Sequence, residues 1–197
     1  MTMQKLFFFS LCLFFSFNTF GQELSLKPGS GFENLKIGDS FESVKETLGF
    51  GKKKTYEKYL ADELFDREPD EALECLIGFD YYVKIEYLVT LPILYVYFKD
   101  DKVVQIKSTS FPEYYNPICE DVVVNDDLKF WSGVDKMHAA MGKEDVFINE
   151  DYLILETFGY LSKGIAFSAR EKQIRIIHVF QPVTGADRDK IIGELQN

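Results

Sequence analysis

Apolar residues recur at helical spacing early in the chain and alternate with polar ones soon after. Phe41, Val44 and Leu48 fall three to four residues apart, behind Ser40 and ahead of Gly49. An N-cap residue, one apolar stripe and a glycine stop predict a helix over 41–48. Tyr56, Tyr59, Leu60 and Leu64 form a second stripe and predict a helix over 56–64. Strand patterns follow. Tyr81, Val83, Ile85, Tyr87 and Val89 alternate with Tyr82, Lys84 and Glu86, so the two sets face opposite sides of a strand. Pro92 interrupts, 93–98 resumes as a strand, and Asp100-Asp101 turns the chain into another at 103–107.

The grammar then repeats. Residues 111–125 hold Pro112, Pro117 and the acidic pair Glu120-Asp121 and read as a junction, with a short strand at Val122-Val123-Val124. Trp131-Ser132-Gly133 leads into a helix carrying Val134, Met137 and Met141 and ended by Gly142. Strands are predicted at 152–158, 164–168 and 173–180, and a closing helix after Thr184 with Ile191, Ile192 and Leu195 on its apolar side. Val44-x3-Leu48-Gly49 matches Met137-x3-Met141-Gly142, and a hairpin follows each. The expected fold is α+β: two tandem modules, 22–110 and 126–197, each with short helices packed on one face of an antiparallel sheet, joined by 111–125. Gly29-Ser30-Gly31 reads as a flexible leader to the first.

The first 21 residues change the picture. Lys5, an uncharged apolar run from Leu6 to Phe17 and a break at Asn18-Thr19-Phe20-Gly21 are the parts of a secretory signal peptide cleaved after Gly21. The run is shorter than the ~20 apolar residues that span a bilayer. The expected protein is exported, periplasmic or secreted, with no integral membrane insertion after cleavage. In an oxidising compartment Cys75 and Cys119 become a candidate disulfide. The net charge of −10 argues against nucleic acid as a partner, since that affinity rests on cationic contacts with phosphate.

Candidate chemistry is sparse. Apart from the leader, the imidazole and thiol ligands reduce to His138, His178 and the two cysteines, with no HExxH or Cys/His cluster, and no EF-hand pattern organises the carboxylates, so no metal is expected. No GxSxG elbow and no glycine-rich phosphate loop occurs, and no cofactor is expected. Acidic pairs such as Asp100-Asp101, Glu144-Asp145 and Glu150-Asp151 read as solvated turn charges. Tyrosine is the surplus. Tyr95 and Tyr97 share one strand face while Leu94, Val96 and Phe98 take the other. If helices cover the aliphatic side, Tyr95 and Tyr97, with Tyr82, Lys84 and Glu86 on the neighbouring strand, form an exposed partner-binding face.

Ile37-Gly38-Asp39-Ser40, Val44, Leu48-Gly49, the hairpin from Phe98 to Ile106, Gly164-Ile165-Ala166-Phe167 and the strand from Ile174 to Val179 carry a resemblance. The pattern is similar to the exported α/β modules of the SmpA/BamE type, which are outer-membrane-assembly lipoproteins. In tandem it resembles the β-lactamase inhibitor protein (BLIP-like) family. The segment 50–78 is longer than that pattern needs. The resemblance implies helices on one sheet face and a free opposite face. With the residues above, it supports an exported, non-enzymatic protein-binding module whose partner is another envelope or secreted protein, including as an inhibitor of a periplasmic or secreted hydrolase. A structural or assembly factor of the outer envelope, and a hydrolase using carboxylates between the modules, are the alternatives.

Overall fold

The computed structural model describes residues 24–32, 34–48, 52–64, 72–85, 93–110, 122–124, 128–150 and 155–195. The first half supplies β1 (Leu24–Lys27), β2 (Gly31–Phe32), β3 (Leu35–Lys36), α1 (Phe41–Leu48), β4 (Lys53–Thr55), α2 (Tyr56–Asp62) and α3 (Leu73–Ile77). It ends in β5 (Tyr81–Ile85), β6 (Ile93–Lys99) and β7 (Lys102–Thr109). The second half supplies β8 (Val122–Val124), β9 (Leu128–Lys129), α4 (Val134–Met141), β10 (Val146–Glu150), β11 (Leu155–Tyr160), β12 (Ile165–Arg170), β13 (Gln173–Phe180) and α5 (Gly185–Leu195). Both helices and antiparallel sheet are present, so the protein is α+β.

Local chemistry sets these elements. The Ser43 N–H donates to Ser40 Oγ at 3.2 Å and so caps α1, and the Lys58 N–H donates to Thr55 Oγ1 at 3.4 Å at the start of α2. Asp100 and Asp101 have φ of 50° and 60°, the paired left-handed values of a two-residue hairpin turn. Gly142, with φ of 79°, ends α4 by donating to the His138 carbonyl at 2.8 Å.

Eight strands form one sheet in the order β10-β11-β12-β13-β7-β6-β5-β4. Each half contributes four of them, and the halves join where β13 pairs antiparallel with β7, Val179 opposite Ile106. A second sheet runs β3-β2-β1-β8-β9, closed by a parallel pairing of Leu24–Leu26 with Val122–Val124. Val122–Val124 in the junction is thereby paired back onto the start of the chain. The Gly29-Ser30-Gly31 leader is also ordered: it is the β1–β2 turn, and the Gly29 N–H donates to the Gly164 carbonyl at 3.1 Å. Gly164 has φ of 69°, and a Cβ there would lie 2.3 Å from the Phe180 carbonyl oxygen, so only glycine fits this crossing.

The main core takes residues from both halves and both sheets. Leu26, Val44, Val96, Phe98, Ile106, Leu128, Met137, Phe167 and Ile177 all belong to it. Helices α1 and α4 and the small sheet therefore cover one face of the large sheet. The expectation of helices on one face only is overturned. Tyr59 of α2 packs with Tyr82, Tyr95 and Tyr97 on the other face. There Leu73 of α3 and Ile191 of α5 pack with Val146, Ala166 and Phe180. An amphipathic stripe such as that of α2 needs an apolar surface, and the tyrosine face is the one it reaches.

Candidate functional site

Register brings four of the predicted binding residues together. Tyr82 stands opposite Tyr97, and Lys84 opposite Tyr95, across β5 and β6. Their exposure is the reverse of the expectation. Tyr82 and Tyr97 are fully buried and Tyr95 is 8% exposed. The cover comes from the long 50–78 segment, which folds into β4, α2 and α3. Glu86 and Cys119 lie outside the described residues, so the binding role of the one and the expected bridge of the other fall there too. Cys75 is half-buried on α3, beside Tyr56, whose phenol is pushed up first by burial and then by Cys75.

The tyrosines form an interior network. Rings of Tyr59 and Phe79 meet edge to face at 5.1 Å, and Tyr95 stacks on Tyr97 at 6.4 Å. The Tyr95 hydroxyl donates to Glu63 Oε2 at 2.9 Å, and Lys84 Nζ lies 3.5 Å from Glu63 Oε1. Burial first, then the charge of Glu63, pushes the Tyr82 phenol well above its ordinary value. Deeper in, Glu74 on α3 is 1% exposed. It accepts from the Tyr59 hydroxyl and from Lys107 Nζ, the latter at 2.9 Å. Gln105 Nε2 donates to the Glu74 carbonyl at 2.8 Å. A carboxylate so deep is tolerable only when paired, and these bonds fasten α3 to the sheet.

At the far end of the sheet the arrangement opens out. Phe147 on β10 is 45% exposed, the one exposed large apolar side chain among the described residues. It faces Phe158 on β11, ring centroids 5.2 Å apart, and His138 of α4 meets Phe158 edge to face at 5.2 Å. Among the described residues β10 is the terminal strand of the sheet, paired with β11 alone. Its start is held firmly. Asp145 accepts from Arg188 Nη2 at 2.9 Å and from the Ser162 N–H at 3.0 Å. Burial alone would raise the Asp145 carboxyl, but these hydrogen bonds outweigh it and hold it below the usual range. The Tyr160 hydroxyl donates to the Gly142 carbonyl at 3.1 Å, and burial, with the charge of Glu144, pushes its phenol up to about 12.

The edge is therefore a strand fastened at its start, with an aromatic side chain standing out of it and carboxylates of Glu144 and Asp145 at its base. Such a strand can hydrogen-bond an incoming extended chain and seat an apolar side chain against Phe147. Sequence reasoning placed no strand at 146–150. Phe147 and Ile148 inside an acidic stretch were the available signal, but a short run flanked by Glu and Asp reads equally as a loop. His138 and His178 lie on opposite faces of the sheet. Among the described residues no three His, Cys, Asp or Glu side chains group as a metal site would require. No helix there is long and apolar enough to cross a membrane. No protein-family model, curated protein or solved structure matches the chain.

Proposed function

We propose that this is an exported, non-enzymatic protein of the cell envelope, built of two tandem α+β modules set side by side, that binds another protein by accepting a strand at the β10 edge. The observation that carries the reading is Phe147: a large aromatic ring half in water on the terminal strand, packed at a tilt against Phe158. Exposed aromatics of this kind supply contact area at low entropic cost and are enriched among binding anchors. The partner is an extended segment with a basic character and one apolar side chain. The chain's net charge of −10 steers it, and Glu144 and Asp145 flank the anchor. The signal-peptide pattern over 1–21 supports an encounter outside the cytoplasm.

Capture from an envelope extract, run in parallel on the wild type and Phe147→Asp, tests this. The reading predicts a protein retained by the wild type, weakened by added salt, and lost by about 30-fold for the variant, the effect of removing an anchor of ~2 kcal/mol. A soluble hydrolase as the retained protein makes the module an inhibitor, and an outer-membrane complex makes it an assembly factor. Equal retention by the two proteins overturns the edge as the binding surface.

A further inference from the structure

Arg175 is buried to 4% exposure on β13, and of its three guanidinium nitrogens only Nη2 makes a hydrogen bond, to Gln173 Oε1 at 3.0 Å. Nε and Nη1 are shielded from solvent and have no partner. A guanidinium is ordinarily among the last groups left in this state, because each unsatisfied buried donor costs about 1–3 kcal/mol and a charged one more. One face of the group lies 3.3 Å over the Trp131 ring, so an incoming acceptor must approach in the guanidinium plane.

A second orphan lies close by. Ser108 is fully buried, and its Oγ has no hydrogen-bond partner. It stands opposite Ile177, and the Ser110 N–H donates to the Arg175 carbonyl at 2.8 Å, so Ser108 and Arg175 are diagonal neighbours across the β7–β13 seam. Diagonal pairs are ~7–8 Å apart, within reach of an arginine side chain. Trp131 adds an independent sign. It holds φ of 70°, a left-handed value that a bulky residue adopts only under constraint, while its N–H donates to the Ile174 carbonyl at 2.9 Å.

We infer that Arg175, Ser108 and Trp131 form an anion-binding site at the seam between the two halves of the sheet, and that its ligand is a small monovalent carboxylate. Gln173 Oε1 takes Nη2 alone, and Nε and Nη1 are left as donors without an acceptor, which selects an anion. One guanidinium supplies one positive charge. Burial draws that guanidinium below its ordinary value, and Glu171 and Arg170 act on it in opposite senses, so neither cancels nor doubles the charge. A carboxylate therefore balances the site where a dianionic phosphate would not.

Trp131 is the single tryptophan of the chain, which makes its fluorescence a direct reporter of the stacked guanidinium. The test titrates acetate, formate, phosphate and chloride at constant ionic strength into the wild type, Ser108→Ala and Arg175→Met. A saturable change with acetate or formate is expected in the wild type, weakened about tenfold in Ser108→Ala and abolished in Arg175→Met. At about 100 times its dissociation constant the carboxylate should also raise the wild-type Tm by roughly 5–10 °C. Because Ser108→Ala removes one hydroxyl, it keeps the test open should Arg175→Met fail to fold. Equal, non-saturating responses to all four salts would mean that water satisfies the orphan donors, and the site would be rejected. Saturation by phosphate at lower concentration than by acetate would overturn the assignment of a monovalent carboxylate.

Discussion

At one end of the large sheet β4 is three residues long and carries Lys53 and Lys54, while at the other β10 runs for five with Phe147 standing out of it. The β4 end is closed in depth. Lys53 Nζ sits 3.9 Å over the Phe41 ring and 3.3 Å from Asp101, Lys54 reaches Glu63 at 3.7 Å, and α2 and α3 lie across the tyrosines behind. A short edge dressed with lysines resists strand addition. The β10 end is backed by α5 on one side only, through Val146 and Ile148, and its other side presents an apolar ring. Two halves with the same strand order thus treat their outer edges oppositely. The β10 edge carries an exposed phenylalanine where the β4 edge carries lysines, and the proposed binding role rests on that difference.

The comparison breaks most violently at the closed end. Replacing Tyr95 and Tyr97 together by serine removes two buried aromatics, each worth about 3–5 kcal/mol, although their stacked contact makes the pair less than additive. The double variant should lose at least about 5 kcal/mol, a large part of the 5–15 kcal/mol of an ordinary domain. Urea unfolding measures it. A change within about 1 kcal/mol would mean that the tyrosine face is open after all.

A smaller effect sharpens the open end. Asp145→Asn removes the charge that binds Arg188 at the start of β10 and should cost about 1 kcal/mol near neutral pH. The sign with pH follows from the depressed carboxyl. Its stabilisation is complete above the usual aspartate value of ~3.9 and fades as pH falls through the lower folded-state value. The gap between wild type and variant should hold constant from pH 7 to about 5 and close in the acid range. A gap that grew on acidification would contradict the assigned pairing.

Much of this was legible in the chain. The stripes of α1, α2 and α4 and the Asp100-Asp101 hairpin follow from spacing and turn chemistry, and the alternation in β5 and β6 puts Tyr82, Lys84, Tyr95 and Tyr97 on one face as expected. Which face was open could not be settled by alternation, because that depends on where a remote helix lands. The stripe of Tyr56, Tyr59, Leu60 and Leu64 was the hint, since it too required a surface to cover. The two-residue strands β2, β3 and β9 are set by tertiary pairing, and Val122–Val124 pairs across nearly the whole first half. Phe147 lacked any periodic context, and nothing in the sequence pattern around Arg175 marks it as buried beside Trp131.

Amide hydrogen exchange on the protein with its captured partner tests strand addition most directly. Residues 146–150 should slow by at least about tenfold on binding while Lys53–Thr55 at the opposite edge stay unchanged. Slowing at β4 with none over 146–150 would contradict the account.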